Sequence, residues 1–304
     1  MKVGIIGGAG TLGSSIGFYL ATKNLVEEIV LLDVQENILK AHVMDMAQAI
    51  AALNSTGINA GGWEALQGCQ IVVMAASVPE RNATSRLEYL GDNLNIVRNV
   101  AEQLAHYCPE AIIINATNPV DVFNYILYAL TAMPARQFVG FSRNDSLRLR
   151  WAVGRVLAVP VTDVQAMVIG EHGEAQVPLF SRLTIKGEAV ELNPSQRAAV
   201  DKLIKTWFTT YVSLKSGRSS GWTSAVTIAE IIEMLVTGSE EMLACSAILE
   251  GQYGLRGVSL GVPVVLGPQG IAQIVELPLN QEELSGLQAA ADKTKGLLDS
   301  VAWR

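Results

Sequence analysis

Cysteine, histidine and long apolar runs are all scarce in this chain of 304 residues. Cys69, Cys108 and Cys245 are odd in number, far apart and set among apolar neighbours. That pattern excludes a disulfide framework and a clustered metal knuckle, and predicts reduced core thiols with no metal site. No run of about eighteen uninterrupted apolar residues occurs, so no membrane partner is expected. The N-terminus begins directly with a strand-like segment, without a charged, apolar and small-residue leader, and the expectation is a cytoplasmic protein. The formal charge of −7 is spread along the chain without a basic cluster, which argues against nucleic acid. Repeats and low-complexity linkers are also missing. What remains is half hydrophobic, enough to bury the core of one large α/β domain or of two intimate halves.

The most informative stretch is the first thirty-three residues. An apolar segment, 3–6, runs into Gly7-Gly8-Ala9-Gly10-Thr11-Leu12-Gly13, helical spacing follows over 14–22, and a second apolar segment, 29–32, ends at Asp33. Gly8 and Gly10 would allow a tight turn and close approach to a pyrophosphate. Gly13 would let the following helix pack on the strand and point its free N–H groups at the phosphates. Asp33, at a strand end, would accept hydrogen bonds from a ribose diol and repel a 2′-phosphate, favouring NAD over NADP. Glycines also gather in ordinary turns, but the strand before, the helix after and the acid twenty positions beyond Gly13 supply the context this fingerprint requires.

Further strand-like runs at 71–75, 111–115 and 138–140 alternate with helical spacing, which predicts a parallel sheet covered by helices on both faces. After about Phe141 the pattern changes to a short strand at 164–169, a hairpin at Lys186-Gly187 and a helix capped by Asn193-Pro194 that carries Trp207 and Tyr211. A strand pair over 257–266 and 271–277 precedes a closing helix at 280–301, whose Glu282 and Glu283 suit its N-terminal dipole. The expected organisation is a doubly wound Rossmann domain over 1–141 and an α+β substrate domain over 142–304.

In a doubly wound sheet ligands sit at the carboxyl ends of strands, so the polar residues after each apolar run are the candidates for chemistry. Asn118-Pro119-Val120-Asp121, Asn144-Asp145-Ser146-Leu147-Arg148 and Gly170-Glu171-His172-Gly173-Glu174 all occupy such positions. His42 and His106 fall in helical segments and read as surface or satisfied histidines. His172, flanked by glycines at a strand end, is the candidate proton donor and acceptor beside a nicotinamide.

With these motifs in order, the chain resembles the NAD-dependent lactate and malate dehydrogenases over nearly its whole length. Gly261-Val262-Pro263-Val264-Val265-Leu266-Gly267 adds a fifth matching motif. The resemblance implies hydride exchange between NAD and a small 2-oxo or 2-hydroxy acid, with malate ahead of lactate as the named activity. It implies His172 as the acid and base, Asp145 as its orienting partner, Arg148 as the clamp on the substrate carboxylate, and Asn118 beside the reacting carbonyl. Arg86, in the polar loop after 71–75, corresponds to the family's lid arginine. Cofactor contacts are implied for Gly8, Gly10, Thr11, Leu12, Gly13, Asp33, Asn93 and Asn118, and a homodimer or homotetramer for the assembly.

Six residues before Arg86, where malate enzymes of the family carry an arginine and lactate enzymes usually a glutamine, stands Glu80, with Arg81 beside it. A carboxylate about 4 Å from the second carboxylate of oxaloacetate would be repelled by several kcal/mol at intermediate dielectric. Either Arg81 serves that group while Glu80 turns to solvent, or the pocket takes a 2-oxo acid with a polar or cationic tail. Asn144 in place of a leucine points to the same reshaping. Ser219, Ser220, Trp222 and Thr223 are expected to form the opposite wall. A non-catalytic NAD-binding protein would be expected to lack one of the catalytic residues, and an NAD-dependent glycosidase would need a metal-binding Cys and His. Glu80→Arg is expected to raise kcat/KM for oxaloacetate relative to pyruvate; an unchanged ratio would mean that Glu80 points away from the pocket.

Overall fold

The computed structural model describes residues 1–78, 86–216 and 220–303. The first half alternates β1 (Lys2–Ile6), α1 (Thr11–Lys23), β2 (Glu28–Leu32), α2 (Glu36–Ala51), β3 (Gly57–Ala60), β4 (Ile71–Met74), α3 (Arg86–Tyr107), β5 (Ile112–Asn115), α4 (Val120–Thr131) and β6 (Phe138–Gly140). The second half supplies α5 (Arg143–Leu157), β7 (Val164–Gln165), β8 (Val168–Gly170), β9 (Gln176–Pro178), β10 (Thr184–Ile185), β11 (Glu188–Ala189) and α6 (Pro194–Ser213). It ends with α7 (Trp222–Thr237), β12 (Met242–Glu250), β13 (Arg256–Gly267), β14 (Gly270–Ile274) and α8 (Gln281–Ser300).

Strands β1 to β6 are parallel in the order β3-β2-β1-β4-β5-β6, the doubly wound arrangement that reverses direction between β1 and β4. Their side chains are buried on both faces. Val3 and Ile5 pack with Ile16 and Leu20 of α1 and with Ile228 and Ile232 of α7. On the other face, Ile6 and Val72 pack with Leu94 and Val97 of α3 and Phe123 of α4. Burial on both faces is why these strands read as continuous apolar runs.

The sheet continues past β6. β12 pairs antiparallel with β6 through Ser246 and Gly140, β13 lies along β12, and β8 and β14 pair with β13. One eleven-stranded sheet therefore spans both halves, and a small sheet of β11-β10-β7 stands apart. The joint depends on glycine: a Cβ on Gly140 would come within 2.4 Å of the Ser246 Cβ. The single strand expected over 164–169 is instead two. β7 pairs with β10, whereas β8 pairs with β13 and β9, so the chain changes sheets between them. β12 and α7, fully formed here, have no counterpart among the elements expected from the sequence.

The hairpin at Lys186-Gly187 forms, with positive φ at both residues. Asn193 and Gln196 make a capping box at α6. That helix, expected from its apolar spacing to serve core or subunit packing, buries Val200 and Ile204. Asn280 and Glu283 cap α8 in the same way, so Glu283 acts through specific hydrogen bonds as well as through the helix dipole. Its buried carboxylate also accepts from the Ser181 N–H and hydroxyl, at 3.2 and 2.9 Å. All three cysteines are free and buried, and burial pushes the Cys69 thiol up to about 11 and those of Cys108 and Cys245 to about 12. Among the described residues no helix is long and apolar enough to cross a membrane.

The turn between β1 and α1 is set by two close approaches. Gly7 has a φ of 92°, and a Cβ on Gly13 would stand 2.2 Å from the Gly7 carbonyl oxygen. A Cβ on Gly10 would meet nothing closer than 3.3 Å. Gly13→Ala is therefore expected to lower stability by about 2 kcal/mol or more, and Gly10→Ala by less than about 1 kcal/mol. Paired thermal and denaturant unfolding curves measure both.

Candidate active site

The parallel register brings Leu32, Ile6, Met74, Asn115 and Gly140 level at the carboxyl edge of the sheet. After Ile6, the positive φ belongs to Gly7, one residue earlier than the glycine expected to make the tight turn. Gly8 instead packs against Leu31 and Leu39, where a Cβ would approach to 2.8 and 3.0 Å. The first backbone bond of α1 runs from Ser14 N–H to Gly10 O, and Gly10 has no side chain to cap the turn. The N–H groups of Thr11, Leu12 and Gly13 thus form an open helix terminus of the kind that holds phosphate.

Asp33 follows β2. Its Oδ2 accepts the Ala9 N–H at 3.0 Å and its Oδ1 the Gln35 N–H at 2.9 Å. These bonds fix the carboxylate beside the glycine turn and leave each oxygen a lone pair for a ribose hydroxyl. An uncapped helix end beside an anchored carboxylate fits the pyrophosphate and ribose of NAD. His42, on α2, contacts the Ala9 carbonyl at 3.3 Å and is a satisfied helix histidine.

At the end of β5, buried Asn115 shapes the next turn: its Nδ2 donates to Val120 O at 3.0 Å and its Oδ1 accepts the Thr117 N–H at 3.1 Å. Thr117 ties this turn to Ala76 O after β4 at 2.8 Å. Asn118 comes next, exposed, with a cis peptide to Pro119. Asp145 and Arg148 stand three residues apart near the start of α5, and His172 follows β8.

These last three side chains meet at one carboxylate. Asp145 Oδ2 lies 2.6 Å from His172 Nδ1, and Asp145 Oδ1 accepts from Arg148 Nη1 at 3.2 Å. A second carboxylate, Asp121 at the start of α4, accepts the His172 backbone N–H at 2.7 Å and the Ser246 hydroxyl at 2.5 Å. Burial by itself would lower the His172 pKa. The charge and hydrogen bond of Asp145, helped by Asp121, outweigh it and hold the imidazole above its ordinary value of 6.5, while Arg148 pulls the other way. Burial pushes the Asp121 carboxyl up to about 6, against its bonds from Ser246 and His172. The turn carrying His172 is braced from α8, where Lys293 Nζ lies 2.7 Å from Glu171 Oε2, which also accepts the Ala175 N–H at 2.8 Å.

Not every expected residue joins this cluster. Asn93 is fully buried, and its Oδ1 accepts the Val78 N–H at 2.9 Å, so it anchors the chain leaving β4. Arg86 is the first residue of α3, not part of the loop in which the sequence reading placed it. Glu80, Arg81 and Ser219 lie outside the described residues. Trp222, expected in the opposite wall, is 72% exposed at the start of α7 and covers little. The aromatic residue that meets the arginine is Trp207 of α6, with the Arg148 guanidinium 4.6 Å from its ring centroid. Asp121, Lys293 and this role of Trp207 were missed by the reading of the sequence. Asp121 did stand in a quoted motif, but no local pattern ties Lys293 or Trp207 to residues so distant in sequence.

Comparison with known proteins places the whole chain in one family. Residues 1–140 match the family model described as lactate/malate dehydrogenase, NAD binding domain, and residues 143–302 match the corresponding alpha/beta C-terminal domain. A malate dehydrogenase of Anaplasma marginale (strain Florida) is 33% identical, with 99% of this chain and 98% of the relative covered. The crystal structure of Cryptosporidium parvum malate dehydrogenase is 31% identical and superimposes with a TM-score of 0.92, covering 98% of each chain. The lactate dehydrogenase of the same organism, solved with lactic acid and nicotinamide adenine dinucleotide, is 27% identical with a TM-score of 0.91, covering 98% of this chain and 97% of that one. This chain belongs to the lactate/malate dehydrogenase family and is an NAD-dependent dehydrogenase of L-2-hydroxy acids.

Proposed function

We propose that His172 exchanges the proton, Asp145 orients it and Arg148 grips the substrate carboxylate in the interconversion of a 2-oxo acid and its 2-hydroxy acid, with malate ahead of lactate as the natural product. The observation that carries this reading is the Asp145 carboxylate, which holds a proton-transfer group on one oxygen and a carboxylate-binding cation on the other. With Nδ1 engaged, His172 has Nε2 for the substrate oxygen, giving the proton in reduction and taking it in oxidation. Arg148 offers a planar donor edge to a carboxylate. Asn118, exposed at the strand edge, is suited to hydrogen-bond the reacting carbonyl.

NAD, when bound, supplies or accepts the hydride. Gly10, Thr11, Leu12 and Gly13 would hold its pyrophosphate and Asp33 its ribose diol, with Asn93 supporting the neighbouring loop. Arg86 would polarise the carbonyl on closure, and Glu80 or Arg81 would meet the distal end of the substrate. We assign cofactor binding to residues 1–141 and substrate chemistry to 142–304. A homodimer or homotetramer accords with the exposed apolar side chains of Phe18, Ile38 and Met44 on α1 and α2.

His172→Asn is expected to leave NADH binding intact and to lower turnover by at least about a hundredfold, as loss of a general acid does. Fluorescence titration of NADH and steady-state kinetics check the two halves, and retained turnover would remove His172 from its role. The raised His172 pKa sets the pH dependence. Reduction needs the imidazolium, so its kcat/KM falls as pH rises through a value above 6.5, and oxidation rises through the same value. The stabilisation that accompanies this shift is full below 6.5 and is lost as pH rises through the folded-state value. Rate profiles in both directions over one buffer series test the pairing, and two flat profiles would contradict it.

A further inference from the structure

We propose that Trp207 is a positioning residue for substrate binding: its indole face fixes the plane of the Arg148 guanidinium, so that the free donor edge of the arginine is presented to the substrate carboxylate. This rests on the role given to Arg148 above. The guanidinium carbon lies 4.6 Å from the Trp207 ring centroid, well within the range of a cation–π contact. Asp145 Oδ1 takes one in-plane donor at 3.2 Å. Among the described residues Arg148 has no other acceptor, which leaves in-plane donors for a bidentate partner.

The two contacts are compatible, because a guanidinium stacked over an indole face still offers its in-plane N–H groups to a carboxylate. Held by Asp145 alone, the guanidinium could still swing about that single bond. The indole removes this freedom. Trp207 is itself held by Tyr211, one helical turn on, with the rings stacked at 5.3 Å and 11° between planes. The pair projects from a helix that buries only Val200 and Ile204, so the aromatic stack is not explained by core packing. The half-buried indole also shields one side of the arginine from water, which strengthens an ionic contact made there.

The test compares Trp207→Ala, Trp207→Phe and Trp207→Leu in the full-length enzyme. KM and kcat are measured for the preferred 2-oxo acid, and the Kd of oxamate is measured by calorimetry on the NADH-loaded protein. Trp207→Ala is expected to raise KM and the oxamate Kd by about tenfold with far less change in kcat. Trp207→Phe should recover most of the loss, and Trp207→Leu, with similar bulk but no π face, should recover little. Unaltered KM and oxamate affinity in Trp207→Ala would overturn the proposal, as would a fall in kcat alone or equal recovery by Leu and Phe. If the alanine variant does not fold, the comparison of Phe with Leu decides by itself. A wild-type enzyme that neither turns over any 2-oxo acid nor binds oxamate would instead overturn the role of Arg148.

Discussion

The candidate site is built around a single buried carboxylate shared by a histidine and an arginine. Asp145 spends one oxygen on His172 and the other on Arg148, and its side chain is only 6% exposed. Removing either partner would leave charge in a poorly solvated place, which costs far more than an exposed ion pair contributes. The constraint reaches outward. α5 must start where Asp145 and Arg148 share a face, and the chain leaving β8 must deliver His172 to the same point. The Glu171–Lys293 bridge and the Asp121 bond to the His172 backbone hold that delivery from two further helices.

Opposed electrostatic effects tune this centre. Burial disfavours the imidazolium, while two carboxylates within reach favour it and prevail. For Asp121 the balance goes the other way: burial raises its pKa, and the hydrogen bonds from Ser246 and the His172 backbone, with the charge of His172, offset it only in part.

The continuous sheet gives this cluster its rigidity relative to the cofactor cradle. Because β12 joins β6 and β13 carries β8, the strand that leads to His172 belongs to the same hydrogen-bonded array as the strand that leads to the glycine turn. Small shifts between the two halves would cost ladder hydrogen bonds and core packing, so the distance between the glycine turn and His172 is held by the fold itself. α7 packing over β1 on the α1 face adds to the same connection.

Much of this was legible in the chain itself, where the chemistry is local. The glycine turn, Asp33, the Asn118 to Asp121 motif, the capped helices and the glycine-flanked His172 announce themselves because each depends on neighbours within a few positions or on one strand end. Gly7 was misjudged by one position because two overlapping glycine spacings fit the same segment, and only the backbone turn distinguishes them. The sequence by itself determined the class of cofactor, the class of reaction and the alternation of strands and helices that makes the nucleotide-binding sheet parallel. Tertiary structure alone decided that Trp207 covers Arg148, that Lys293 braces Glu171, that residues 164–169 divide between two sheets and that both halves share one sheet. Those features arise where segments far apart in sequence close against one another, and no local propensity or spacing encodes which distant surface a side chain will meet.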